Sequence, residues 1–570
     1  MFDRFHAFFR GEKNPLSSIK AAQAWWAAQS TADAATQLQT INEVVAEYLA
    51  EDQEPRPETL QSLFWLDDMA QPAIEAVRIQ YISNPRMPRE TRQKLWQTSY
   101  DFADALHGAY SRFAKLESRD KQLGEPRFDM PRVIARCLRY IAAQAKWHYF
   151  RFEKAPARLW ILAHQHYRLA EISGFDSHSF PLYPELSEEA SSCAGEYIRM
   201  LVLATVSGNN LTVPQINLID RWLIAWSRCV QLARKYREGL HHYYVSLQEG
   251  CGPEKVGSPS DGKVCRYWGV TALIDRIGQT LQQLENGAAP KSFDLGRDGR
   301  AFAAIELLKL LAAHWDAAIH NSQTPRAERQ KVNKAAGVIH GLDRICSHVR
   351  QDNDRHRKNG AGDDKVQVDY DDLIDMRLYG FVSDRTRDKH ARQCVASGHP
   401  AHDWQTWEID NESASGLGAV LSYTDNEWVR PGVLVGVQLD AKDNWQVGIL
   451  RRLSRIDHDR VYTGLQILTA MPVAVTMHCE EQDRVRSMAV TELGSWGGID
   501  PPDLRMAIYL PHKIEGSNVN TLIMRAADYG AGRIYQVKAH DKVFSVSLGR
   551  VLETGVDWIW VAVNVLRTGS

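Results

Sequence analysis

Residues 351–367, "QDNDRHRKNGAGDDKVQ", are charged, contain two glycines and are almost free of large apolar side chains. A stretch with no apolar face has nothing to bury, so it reads as a linker. It decides the fold because the periodicity of the chain changes across it. From about residue 14 to 350 apolar residues recur at three- and four-residue steps. In "TVPQINLIDRWLIAWSRCVQLARKYREGLHHYYVSL" (212–247), Ile216, Ile219, Leu223, Trp226, Val230 and Ala233 share one helical stripe, and Pro214 sits in the first turn. The spacing predicts one long amphipathic helix there. Similar stripes run through 21–50, 92–116 and 300–320, separated by breakers such as "SGNN" and "SQTPRAE", and predict roughly eight to twelve helices with no fixed repeat. Beyond 367 the pattern turns to short runs bounded by Gly, Pro, Asn or Asp: "DMRLYGFV", "GAVLSY", "GVLVGVQL", "WQVGILRRL", "RVYTGLQIL", "PVAVTMH", "MAIYL", "TLIMRA", "RIYQVK", "KVFSVSLGRVL" and "WIWVAVNVL". Such spacing predicts a sandwich or barrel, and the length suits two small barrels or one decorated one.

The expected fold is therefore multidomain α+β, a large all-α N-terminal domain followed by an all-β C-terminal region. The expected parts are a helical domain over 1–350, a linker over 351–367, a β-barrel over 368–470 and a further β domain or barrel extension over 471–570. With 570 residues, 44% of them apolar, the chain can bury several cores. Its 68 basic and 70 acidic residues leave no global excess for a nucleic-acid polymer or an anionic membrane surface. The eight Cys lack CxxC pairs or regular spacing, which fits free thiols in a reducing cytoplasm. "MFDRFHAFFRGEK" has no long apolar core and no 18-residue apolar run occurs, so neither secretion nor membrane insertion is expected.

Motifs for catalysis are sparse. Glu238 and His241 form one Glu-x-x-His, but a di-iron bundle needs that motif twice with two further Glu. His164 with His166, and His314 with His320, lack the spacing of a zinc protease helix and read as satisfied core or surface histidines. There is no nucleophile elbow, no phosphate loop and no full dinucleotide fingerprint. Neither an enzyme, a metal nor a cofactor is expected.

One polar run stands apart. "EIDNESASGLG" (408–418) carries Asn411-x-Ser413-x-x-Gly416, preceded by the basic "SDRTRDKHAR" (383–392) and followed by a Gly-started strand, a Trp-containing strand ending in Arg-Arg, and "VYTGLQIL". Over about residues 377–470 this series resembles a PilZ domain, whose motif is [D/N]-x-S-x-x-G. The resemblance implies a small β-barrel that binds cyclic di-GMP, with Asn411, Ser413 and Gly416 as one wall. The family's upstream R-x-x-x-R is altered here, since Arg385 is followed four residues later by Lys389 and Arg387 and Arg392 are five apart. The resemblance implies that Arg387 and Arg392, with Arg385 as substitute, take the phosphates and guanines. Arginine suits both through its planar fork, which lysine cannot copy. Arg451 to Arg455 is a strict R-x-x-x-R in the wrong place and reads as a solvated strand end.

The chain is thus expected to be a cytoplasmic bacterial cyclic di-GMP receptor whose PilZ-like part signals to a helical domain that binds a protein partner. The alternative from another class is a ligand-free PilZ-like scaffold. A hydrolase with a regulatory barrel would need a clustered acid/base set, which the sequence does not offer.

Overall fold

In the computed structural model the helical stripes wind as their spacing dictates. The structure describes residues 14–569 except 30–31, 52–53, 85–86, 120–126, 187–189, 208–209, 258–263, 288–300, 320–328, 359–403, 414–415, 425, 427, 440–443, 458, 480–504, 515–516 and 540–541. The chain divides into two units, Met1–Thr324 and Pro325–Ser570.

The first unit holds ten helices among the described residues: α1 (Ile19–Ala28), α2 (Ala34–Ala50), α3 (Pro57–Ser83), α4 (Arg89–Arg119), α5 (Met130–Tyr149), α6 (Ala157–Ile172), α7 (Cys193–Val206), α8 (Val213–Trp226), α9 (Thr271–Glu285) and α10 (Ala301–Ile319). Minor strands β1 (Phe180–Pro181) and β2 (Ala190–Ser191) pair, as do β3 (Tyr243–Ser246), β4 (Glu254–Lys255) and β5 (Cys265–Trp268). The apolar stripes meet in one core that includes Trp222, Trp268 and Trp315. That core also encloses charge, which composition does not reveal. Fully buried Arg136 donates to Asp67 Oδ2 (2.8 Å), Asp68, Tyr110 Oη (3.0 Å) and the carbonyls of Phe64 and Leu182. Burial of an ion is tolerated when opposite charge and hydrogen bonds surround it.

The long helix expected over 212–247 is shorter. Thr212 and Gln215 form a capping box and Pro214 lies in the first turn, as the sequence suggests, but the helix ends at Trp226. Gly239 takes a left-handed φ of 74° in a turn, and Tyr243–Ser246 is a strand, so Glu238 and His241 share no helix face. Ala233 instead bridges to Tyr267.

The second unit is two closed, wholly antiparallel six-stranded barrels. The first contains β6 (Gln330–His340), β7 (Gln405–Ser413), β8 (Gly416–Ser422), β9 (Leu434–Gln438), β10 (Gln446–Arg455) and β11 (Arg460–Thr469). The second contains β12 (Val473–Cys479), β13 (Arg505–Ile514), β14 (Ser517–Arg525), β15 (Ile534–Ala539), β16 (Lys542–Thr554) and β17 (Trp558–Gly569).

Helix and strand do not change places where the sequence put the boundary. Strand β6 precedes residue 350 and closes the first barrel by pairing with both β7 and β9. Helix α11 (Leu342–Lys358) follows it, so 351–358 of the expected linker is helical. Its apolar stripe, Leu342, Ile345, Cys346 and Val349, packs with Trp445, Val447 and Ile449 of the first barrel and Ala474, Ile508 and Trp558 of the second. Asp352, in the middle of the charged run, is buried and accepts the Trp445 backbone N–H at 2.8 Å.

Candidate ligand-binding site on the outer face of the first barrel

Strand alternation sorts this face residue by residue. Leu417, Ala419 and Leu421 of β8 and Val461, Thr463 and Leu465 of β11 are buried inside the barrel. The residues between them therefore face outward, and they pair as Gly416 with Gln466, Gly418 with Gly464 and Val420 with Tyr462. Three glycines on two neighbouring strands let other side chains lie close on the barrel wall here: Tyr462 and Asn411 cover Gly418, and the Arg452 stem covers Gly464. Asn411 of β7 stands opposite Gly418, and Lys331 of β6 stands opposite Asn411.

Three polar side chains converge over Gly418. The Asn411 amide donates to the Tyr462 hydroxyl at 3.0 Å, and the Arg329 guanidinium reaches the same hydroxyl at 3.5 Å. A Cβ at position 418 would lie 2.3 Å from that hydroxyl and 2.6 Å from the Asn411 amide nitrogen, so glycine is what lets the pair lie flat on the strand. At Gly416 a Cβ would meet the Leu465 carbonyl at 2.7 Å, a demand of the adjacent strand itself. Ser413 donates to the Gly416 carbonyl (3.1 Å) and closes the β7–β8 hairpin. The rim is charged: Lys334 pairs with Glu412 (2.7 Å), and Arg460 pairs with Asp457 (2.8 Å), whose carboxyl backbone and side-chain hydrogen bonds from Arg460 hold down at about 2.

The structure brings Asn411, Ser413 and Gly416 together at one hairpin. Arg385, Arg387 and Arg392 lie outside the described residues, as does the run "DMRLYGFV". Arg329, Lys331 and Tyr462 are the residues the sequence reading missed, and the signal that could have found them is the basic "PRAERQK" (325–331) directly before an apolar run. Arg451 and Arg455 are engaged elsewhere: Arg451 holds Glu553 of the second barrel, and Arg455 lies over the Tyr423 ring at 4.9 Å.

Three histidines of the helical unit, His107, His164 and His166, are buried and bonded. His164 meets Tyr197 Oη (2.7 Å) and the Cys251 carbonyl (3.1 Å), and the Nε2 atoms of His107 and His166 are 3.2 Å apart. Burial lowers His107 and His164 to about 4 and His166 to about 3, so all three are neutral at pH 7. Among the described residues no group of three or more His, Cys, Asp or Glu side chains is placed to hold a metal, and no helix is long and apolar enough to cross a membrane.

Comparison with known families adds one finding. The family described as "Cyclic-di-GMP receptor FimW, N-terminal domain" matches residues 20–236, within the helical unit. No curated protein and no solved structure matches the chain.

Proposed function

We propose that the chain is a cyclic di-GMP receptor whose ligand lies on the glycine-floored face of the first, PilZ-like barrel. The observation that carries this is the convergence of Asn411, Tyr462 and Arg329 over Gly418. The glycines keep Tyr462 and Asn411 close against the barrel wall, where Tyr462 offers a ring to stack on and the Asn411 carbonyl oxygen offers an acceptor for a guanine edge. Arg329 supplies a fork for phosphate or guanine, with Lys331 as a point charge beside it. Arg385, Arg387 and Arg392 remain proposed as further phosphate partners. The match of residues 20–236 to a cyclic di-GMP receptor's N-terminal domain supports the same reading from the other unit.

The protein acts by binding rather than catalysis, in the cytoplasm, where seven described cysteines stand as free thiols. The helical unit meets a protein partner, and ligand binding alters that contact by shifting a population. Calorimetric titration of the full chain with cyclic di-GMP tests this. Binding that Asn411→Ala weakens at least about fivefold, roughly the loss of one good hydrogen bond to a base, supports it. A wild-type chain that gives no heat at high micromolar ligand refutes it and leaves the scaffold function.

A further inference from the structure

The two barrels repeat one another. Numbered along the chain, the six strands of each close in the same cyclic order, first, second, third, sixth, fifth, fourth, with every pair antiparallel. The likeness reaches single hydrogen bonds. Before the fourth strand of the first barrel, Gly432 (φ 86°) donates to Leu450 O (2.8 Å), Leu450 N–H to Val433 O (3.0 Å) and Val433 N–H to Arg430 O (3.3 Å). In the second, Gly532 (φ 74°) donates to Leu548 O (2.9 Å), Leu548 N–H to Arg533 O (2.9 Å) and Arg533 N–H to Gly530 O (3.0 Å). Both fifth strands are irregular at the next step, between Leu450 and Arg452 and between Leu548 and Val551.

The register also shows what the second barrel has exchanged. Its hairpin closes on Ile514 and Ser517 where the first closes on Ser413 and Gly416. His512 stands at the place of Asn411, Val519 at that of Gly418, and Ala562, opposite Thr521, at that of Tyr462, opposite Val420. The glycine under a tyrosine has become a valine beside an alanine.

The barrels are joined next to the proposed ligand face. Arg451 Nε donates to Gln466 Oε1 (2.7 Å), and Gln466 is the cross-strand neighbour of Gly416. The two terminal nitrogens of the same guanidinium hold the Glu553 carboxylate of β16, Nη2 to Oε2 at 2.9 Å. Nearby, Trp558 Nε1 and the Val556 N–H both donate to the Gly432 carbonyl, at 2.9 and 3.2 Å.

We infer that the second barrel is a diverged internal copy of the first that presents no dinucleotide face and instead reads the occupancy of the first through the Gln466–Arg451–Glu553 chain. This rests on the cyclic di-GMP reading above. The test is hydrogen exchange on the full chain with and without saturating cyclic di-GMP, with affinity measured in parallel. The expected result is slowed exchange in β16 and β17 as well as around 411–422. Glu553→Gln, two side chains away from the proposed face and no part of it, should keep affinity within about twofold and lose most of the change in β16 and β17. Binding in the wild type with no change in the second barrel overturns the inference alone, as does a change that survives Glu553→Gln. Absence of binding refutes the receptor reading and this coupling with it.

Discussion

Arg329→Ala separates binding from folding. Arg329 is exposed, and its contact to Tyr462 is at the long limit of a hydrogen bond. Its removal should therefore cost the fold no more than about 0.5 kcal/mol, as at other surface positions. A bidentate arginine contact to guanine is worth roughly 1–3 kcal/mol, so affinity for cyclic di-GMP should fall roughly 5- to 150-fold while the melting curve stays in place. Arg329→Lys should recover little of it, because a point charge cannot copy the fork. The wild-type affinity should also weaken with added salt, since exposed charges are screened. The assay is calorimetric titration with a parallel thermal melt of each variant. Unchanged affinity in Arg329→Ala, with a loss in Arg387→Ala or Arg392→Ala, would refute the placement of the cation at the start of β6.

Gly418→Val drives a side chain into the Tyr462 hydroxyl and the Asn411 amide, so binding should drop at least about tenfold and stability by roughly 1–3 kcal/mol; Gly464→Ala, where the nearest atom is the Arg452 stem at 3.4 Å, should be milder, and equal effects would count against the geometry. Arg136→Met leaves Asp67 and Asp68 buried without their cation and should destabilise the helical unit by roughly 3–5 kcal/mol; a loss under about 1 kcal/mol in denaturant unfolding contradicts this. His107, His164 and His166 titrate below the ordinary value of 6.5 when folded, so the unfolded chain binds more protons as pH falls. Their stability is complete above pH 6.5 and should decline from there towards pH 4, by up to about 1.4 kcal/mol per pH unit for each ring. A melting temperature of the helical unit that stays flat from pH 7 to 5 would exclude it.

Alternation was the most legible signal. Strands β8 to β17 were readable because apolar residues dominate them and turn residues bound them. β6 was not, since "QKVNKAAGVIH" opens with lysines and an asparagine, and its buried half begins only at Ala336. Missing that strand also hid Arg329 and Lys331 at its start, while Arg385, Arg387 and Arg392 lie outside the described residues. The charged run at 351–358 reads as exposed by composition, whereas its spacing continues the stripe of α11. Leu342, Ile345, Cys346, Val349 and Asp352 recur at helical steps, and the last is an aspartate buried by a backbone N–H that no sequence pattern announces. The overlong helix at 212–247 failed for the opposite reason. Its stripe persists past Trp226, but a 3-10 turn over Ser227–Cys229, an extended Val230 and the bridge of Ala233 to Tyr267 take the chain out of the helix, so tertiary pairing outweighs propensity.

The first and second strands of each barrel are parted by an insertion at the same place, residues 341–404 in one and 480–504 in the other. A strand must find its partner across that length before the cylinder can close. The longer excursion costs the first barrel roughly 1 kcal/mol more in closure entropy, by the logarithmic dependence on length. The second barrel should accordingly assemble first during refolding, and α11, packed on its face, would then carry β6 back towards β7. Interrupted refolding should show amide protection at β12–β17 ahead of β6–β7, so a chain halted midway would hold a closed second barrel beside a first barrel still open.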